Sequence, residues 1–464
     1  MQATIGDRLA ALAAADPARP ALLCEGETLD RQRLAAEVAR LAAGLHARVP
    51  PGASVALAMP NGVPLVLVFL ACAVSGRQAL VYDPAWPAPY RDAIDAALRP
   101  ALTIERAPDW APGEAPPPPE AEQPFYVGFT SGSTGLPKGY RRSHRSWIES
   151  FEVSRGAFGL TQADRILAPG GLSASLHLYG VVHALHIGAQ ALIMARFRPK
   201  RALDLIARHG VTALYATPTQ LQLLLDAAGT RVCPSLKVLM VSGAKWGPQT
   251  RAAAARLFPN AATAEFYGAS ELSFVTIGHA RDAVPPGSVG RAAPGVEIAI
   301  RDAAGRDVAP GQAGTIWVRS AMLFDSYACG GGEETRREGG WLTVGDHGLL
   351  DAQGFLHLRG REKRMLVTAG LNVYPEEVEA VLAAAPGIAE AAVFGRPDPL
   401  RGHELVAVLR MDEATSPDEA ALRAFCRRHL PAAKVPHRFI RLDEWPRTAS
   451  GKPDLLALQT LATR

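Results

Sequence analysis

Cysteine is scarce in this chain and badly spaced for a crosslink or a zinc site. Cys24, Cys72, Cys233, Cys329 and Cys426 are an odd set, far apart, with no CxxC pair. That excludes a disulfide scaffold and a structural zinc site, and fits a reducing compartment. An excess of charge of one sign is also missing. The 49 Lys and Arg against 45 Asp and Glu leave a formal +4, dispersed over 464 residues. A dedicated nucleic-acid binder would concentrate its basic residues, so no nucleic-acid partner is expected. No apolar run reaches membrane-spanning length. The most apolar one, VPLVLVFLACAV at 63–74, reads as a buried helix. The opening MQATIGDRLAALAAADPARP carries Asp7 early and reads as an amphipathic helix rather than a secretion signal. A soluble, cytoplasmic protein is the expectation. No GxGxxG of the dinucleotide-binding kind occurs, and no internal repeat is visible.

What stands out is TSGSTGLPKG at 130–139. Gly132, Gly135 and Gly139 let successive N–H groups turn toward one point without a Cβ in the way. Thr130, Ser131, Ser133 and Thr134 add hydroxyl donors, and Lys138 adds a positive charge. That inventory suits a polyphosphate. A flexible Gly/Ser linker would run longer, lack the lysine and not follow an apolar strand. Here FYVGF, 125–129, has the pattern of a strand feeding the loop. The loop is not a Walker-type P-loop, because Lys138 is followed by Gly139 rather than Ser or Thr.

A chain of this length exceeds the usual single core, so two or more domains are expected. Apolar runs VALAM (55–59), ALVYD (79–83), ALIMA (191–195), ALYAT (213–217) and VLMVS (238–242) alternate with helical patterns. This alternation predicts an α/β fold with buried, mostly parallel strands. The proline-rich APGEAPPPPEAEQP, 111–124, predicts a surface connection. Between 286 and 350 the runs VEIAIRD and GTIWVRS, followed by GFLHLRG, are short and separated by glycine turns. They predict antiparallel strands in a small β-barrel-like part. A small α+β terminal unit then follows, giving expected domains 1–360 and 361–464.

Four further polar islands follow in order: EFYGASE at 265–271, WLTVGD at 341–346, GREKRMLVTAGLNVYPEEVE at 360–379 and PRTASGK at 446–452. Together with TSGSTGLPKG, this order resembles the adenylate-forming superfamily, in its branch of acyl-CoA synthetases (AMP-dependent acid–CoA ligases). The resemblance covers nearly the whole chain. It implies a large N-terminal portion, a small mobile C-terminal one, and a reaction in two halves. A carboxylate attacks the α-phosphate of Mg-ATP, releasing pyrophosphate, and a thiol, usually coenzyme A, then displaces AMP. A stand-alone adenylating enzyme that loads a carrier protein is the second reading, and a non-catalytic ATP-binding relative the third.

The resemblance also assigns roles. Residues 130–139 correspond to the loop holding the β- and γ-phosphates, and Glu271 to the magnesium ligand. Ser270 stands where threonine is commoner and keeps the hydroxyl that meets the α-phosphate; Gly268 is the tight glycine of the same island. Tyr267 faces the adenine, with Ser242, Gly243 and Ala244 as the opposite wall. Asp346 accepts the ribose hydroxyls and Arg361 contacts the same sugar. Lys452 bridges carboxylate and α-phosphate, Lys363 is the hinge, and Gly370 lines the pantetheine tunnel. His177, in LHLYG, lies at the acid pocket. Val344 and Ala369 depart from the common pattern, where threonine and glycine are usual, and Lys245 stands where a small residue or proline is common. The acid stays open between aryl, short or medium aliphatic, and dicarboxylate. The oligomeric state also stays open, monomer or homodimer.

Overall fold

The apolar runs expected as strands are strands: Ser54–Leu57, Gln78–Val81, Gln190–Ile193, Ala213–Ala216 and Val238–Val241. The computed structural model describes residues 3–130, 138–241, 248–279, 282–361, 364–368, 371–398, 402–412, 417–448 and 453–463. The chain divides into two compact units. The first comprises Met1–Ile298, Val318–Glu333 and Glu338–Leu342; the second comprises Ala299–Trp317, Glu334–Arg337 and Thr343–Arg464.

In the first unit one sheet runs in the order Tyr327–Cys329, Lys138–Ser143, Pro124–Thr130, Gln78–Val81, Ser54–Leu57, Leu102–Ile104. Its inner pairs are parallel, and Lys138–Ser143 returns antiparallel to Pro124–Thr130. A second sheet runs from Ser288–Ala292 through Ser273–His279, Ala262–Ala269, Val238–Val241, Ala213–Ala216, Arg165–Ala168 and Gln190–Ile193 to Pro20–Cys24 and Glu27–Asp30. Its interior is parallel, and helices Pro199–His209 and Pro218–Ala228 contribute to the core beneath it. Leu167, Leu192, Leu214, Leu224, Leu239 and Phe258 close that core. Burial on both faces is why these strands read as continuous apolar runs rather than alternating ones.

Helix Val63–Val74 is apolar all round because nearly every residue of it is buried. Among the described residues no helix is long and apolar enough to cross a membrane. The expected N-terminal helix is short, Leu9–Ala15. All five cysteines are free, four of them buried.

In the second unit, Arg301 pairs with Asp307, and Asp346–Leu350 lies antiparallel to Phe355–Arg361. Among the described residues no sheet closes, so the barrel-like part is an open antiparallel set. Closure needs strand number and stagger to match; here Gly314–Arg319 pairs with Asp346–Leu350, which pairs in turn with Phe355–Arg361. Helices Pro375–Ala383 and Glu419–His429 pack on strands Ile388–Asp398 and Gly402–Met411 around Val378, Leu382, Val393, Leu405, Leu422 and Cys426. Arg364 ties this part together. It reaches Glu376 at 2.9 Å, Glu379 at 2.6 Å and the Val393 carbonyl at 3.1 Å.

Helices His144–Phe158 and Ser175–Ile187 carry buried histidines between them. Ser143 caps the first by accepting from Ser146 N, and Gly188 ends the second at φ 78°. The rings of His183 and His186 lie 5.1 and 5.2 Å from Phe151. Burial pushes His144 and His183 down to about 3 and His186 down to about 4. A histidine whose folded pKa is depressed stays neutral while the unfolded chain takes up its proton near 6.5. Stability is therefore full above about pH 6.5 and falls as the pH drops toward 4. Urea denaturation across that range should show this slope, and His183→Gln should reduce it by about one proton. An unchanged slope would place His183 in a solvated, charged state instead.

Candidate active site

The apolar strand Pro124–Thr130 and the returning strand Lys138–Ser143 form a hairpin with Thr130 directly opposite Lys138. Ser131, Gly132, Ser133 and Thr134, between them, lie outside the described residues. Side chains two apart on a strand share a face, so Lys138, Tyr140 and Arg142 point the same way. Each of the three reaches a part of one neighbourhood. Lys138 Nζ lies 5.7 Å from the centre of the Tyr327 ring. The Tyr327 hydroxyl donates to Glu271 Oε1 at 2.8 Å. Tyr140 Oη lies 3.2 Å from Tyr126 Oη; burial raises the Tyr140 phenol, and the hydroxyls of Tyr126, Ser175 and Ser270 oppose that rise. Arg142 Nη1 donates to the Ser270 carbonyl at 2.9 Å.

The EFYGASE island is the end of strand Ala262–Ala269 and the turn into Ser273–His279. Tyr267 pairs with Thr276, and a register shift follows between Tyr267 and Gly268. Gly268 is required there, since a Cβ would come within 2.0 Å of the Ser273 carbonyl oxygen. Glu271 is 8% exposed, its own carbonyl accepting from Phe324 N at 2.8 Å. Tyr327 orients one carboxylate oxygen, and among the described residues no side-chain bond reaches Oε2. The described residues hold no cluster of three or more His, Cys, Asp or Glu that would cage a metal. A single oriented carboxylate with one open oxygen fits a magnesium ion that takes its other ligands from phosphate and water.

His177 sits in the first turn of helix Ser175–Ile187, 3% exposed. Gln220 Oε1 accepts from Thr217 N at 3.0 Å while Thr217 Oγ1 accepts from Gln220 N, a capping box that fixes which end of the amide is which. The free Nε2 of Gln220 then faces His177 Nε2 at 3.1 Å and must donate to it. The imidazole is thereby held as the Nδ1–H tautomer, with Nδ1 buried and without a partner among the described residues. Burial pushes His177 down to about 4, so the ring is neutral at ordinary pH. Gly170 backs onto the same ring, where a Cβ would come 2.1 Å from His177 Nε2. Asn61 fixes that loop, donating to the Gly170 carbonyl at 3.1 Å and accepting from Leu172 N at 2.8 Å.

These positions all belong to the first unit. Asp346 and Arg361 belong to the second, opposite each other on paired strands, with Arg361 Nε donating to Asp346 Oδ1 at 3.1 Å. The next residue, His347, joins Tyr374 Oη at 2.7 Å through Nδ1 and Thr315 Oγ1 at 3.1 Å through Nε2. Ser242, Gly243, Ala244, Lys245, Lys363, Ala369, Gly370 and Lys452 lie outside the described residues.

Arg142, Tyr327, Gln220 and Asn61 escaped the sequence reading. Two signals were available. An arginine two residues after Tyr140 in an otherwise buried strand is out of pattern, and Thr-x-x-Gln before an apolar run is a capping-box signature.

The sequence model of the AMP-binding enzyme family matches residues 9–105 and 92–328, and that of the AMP-binding enzyme C-terminal domain matches 377–452. An uncharacterized acyl–CoA ligase of Bacillus subtilis, YhfT, is 34% identical over 472 residues, covering 97% of this chain and 96% of that protein. A fatty acid–[acyl-carrier-protein] ligase of Streptomyces coeruleorubidus, ScoC, is 28% identical over 480 residues, covering 94% and 92%. The o-succinylbenzoate CoA synthetase of Bacillus subtilis, solved with its acyl-adenylate intermediate, superposes with TM-score 0.87 at 27% identity over 98% of both chains.

Gln220→Leu should leave His177 Nε2 buried and unpartnered, at a cost of about 1–3 kcal/mol. The ¹⁵N spectrum of His177 should then lose its single Nδ1–H tautomer. An unchanged tautomer in the folded variant would show that something other than Gln220 sets it.

Proposed function

Because the chain belongs to the AMP-binding enzyme family and is an ATP-dependent acid–thiol ligase of the acyl-CoA synthetase branch, we propose how its residues divide the reaction. In the first half a carboxylate oxygen attacks the α-phosphorus of ATP, and pyrophosphate leaves. In the second the thiol sulfur of coenzyme A attacks the acyl carbon, AMP leaves with the carboxylate oxygen, and the thiol proton is released. Two anions must meet in the first half, so the chain has to supply cations and N–H dipoles where charge develops.

The observation that carries the reading is the hairpin face on which Lys138, Tyr140 and Arg142 meet Tyr327, Ser270 and Glu271. Lys138 and the loop from Thr130 hold the β- and γ-phosphates and release them as pyrophosphate. The Ser270 hydroxyl meets the α-phosphate. Glu271 would hold magnesium, which would supply positive charge to the phosphates. Tyr267 covers the adenine, with Ser242, Gly243 and Ala244 opposite. Asp346 accepts the ribose hydroxyls, and Arg361, bonded to it, contacts the same sugar. Lys452 bridges the attacking carboxylate and the α-phosphate. Neutral His177 offers Nδ1–H to the acid.

Residues 361–464 act as the mobile catalytic portion, with Lys363 as hinge and the segment around Gly370 lining the thiol's approach. Coenzyme A is the acceptor. A carrier-protein thiol is the second reading, favoured by ScoC, which covers most of the chain.

Lys452→Ala should lower ATP–pyrophosphate exchange by about 10²–10³-fold while still converting supplied acyl-adenylate to thioester. Normal exchange would remove Lys452 from the adenylation step. Tyr327→Phe frees Glu271 Oε1 and should raise the magnesium needed for half-maximal exchange by about tenfold or more. Thioester yield with coenzyme A against a holo acyl carrier protein, over a panel of aryl, aliphatic and dicarboxylic acids, decides acceptor and acid class together.

A further inference from the structure

We propose that Arg142 is a positioning residue for the nucleotide half of the reaction: it holds the Ser270–Glu271 peptide and places a buried positive charge, bonded to no carboxylate among the described residues, beside it. This deepens the reading of Glu271 as the magnesium carboxylate and rests on it.

Arg142 is 2% exposed. Its guanidinium spends its donors on neutral acceptors: Nε on Ser146 Oγ at 3.1 Å, Nη1 on the Ser270 carbonyl at 2.9 Å, and Nη2 on the carbonyls of Met322 at 2.8 Å and Ser146 at 3.3 Å. No carboxylate among the described residues touches it. A cation taken out of water without an ion-pair partner is costly, and a well-packed apolar side chain in its place is commonly neutral or stabilising. Packing alone therefore does not account for an arginine here.

The placement of its bonds does. One arm grips the residue before Glu271. The other grips Met322, two residues before Phe324, whose N–H holds the Glu271 carbonyl at 2.8 Å. The same segment continues to Tyr327, whose hydroxyl holds Glu271 Oε1. Arg142 thus fastens the Ala269–Glu271 turn and the Met322–Tyr327 segment to one strand, and Glu271 is the residue shared between them. Two other buried arginines show the contrast. Arg31 bonds the carbonyls of Leu12 and Gly188, and Arg77 those of Val49 and Ser75, none of which belongs to the two segments that hold Glu271.

The charge has a use as well as the fork. Burial lowers the Arg142 pKa, while Tyr140, Asp325, Tyr179 and Glu271 act in the opposite direction, so the cation lies within electrostatic reach of the metal carboxylate. A fixed cation under that carboxylate offsets part of the charge gathered when a polyphosphate arrives. It needs no reorganisation as the reaction proceeds.

The test uses the full chain as Arg142→Met, which removes charge and fork, and Arg142→Lys, which keeps the charge but cannot span both carbonyls. Calorimetric binding of Mg-ATP without acid reads the site apart from turnover, and ATP–pyrophosphate exchange against free Mg²⁺ reads the carboxylate. Arg142→Met should weaken Mg-ATP binding and raise half-saturating Mg²⁺ by tenfold or more, with the KM of the acid within about twofold. Arg142→Lys should shift both in the same direction by less. Added to Glu271→Gln, Arg142→Met should change little further. Should Arg142→Met fail to fold, Arg142→Lys alone decides: Mg-ATP affinity and Mg²⁺ requirement both unchanged overturn the inference. Fully multiplicative effects in the double variant overturn it too. If Glu271→Gln itself leaves the Mg²⁺ requirement unaltered, the carboxylate reading falls first and the inference with it. If Glu271→Gln shifts that requirement while folded Arg142 variants do not, the inference alone fails.

Discussion

The antiparallel pairing that sets Thr130 opposite Lys138 fixes the phase of the returning strand, and that phase decides which side chains share the face of Tyr327 and Glu271. With Lys138 in place, pleating puts Tyr140 and Arg142 on the same face and sends Gly139 and Arg141 to the other. A one-residue slip would exchange the two sets. It would trade a cation, a phenol and a guanidinium for a glycine and an arginine that reaches Ser326 and the Tyr327 carbonyl. In the proposed reaction, the charge balance between the two anions depends on this register before it depends on any single residue.

A second constraint acts at His177, which is proposed to meet the acid. His177 is neutral because it is buried, and its tautomer is set by a glutamine whose amide is held by its own helix cap. In the proposed role, a neutral donor suits a carboxylate that is to be accepted without forming an ion pair there. A buried ion pair would bind the ground state and leave less for the transition state. The close approach of Gly170 on one side and Asn61's hold on that loop leave the ring little freedom.

Local pattern carried much of this architecture. The strand runs, the buried helix Val63–Val74, the α+β terminal unit and the strand feeding the glycine-rich loop all follow from periodicity and turn residues, which act over a few positions; the strand that returns from that loop does not. The family motifs brought Glu271, Ser270, Asp346 and Arg361 into view, and the structure pairs the last two directly. What stayed hidden are contacts between segments that only folding brings together. Arg142 to Ser270 spans 128 positions, Tyr327 to Glu271 spans 56 and Gln220 to His177 spans 43. Closure of the antiparallel part was unreadable for a related reason, since strand stagger is a property of the assembled sheet and not of any one run.

The most direct test of the central claim follows oxygen. With the substrate acid labelled in its carboxylate by ¹⁸O, adenylation moves one label onto the α-phosphorus. Mass spectrometry of the products should therefore find ¹⁸O in AMP and none in pyrophosphate. Label in inorganic phosphate, with ADP as the nucleotide product, would contradict the account and make this site one of phosphoryl transfer.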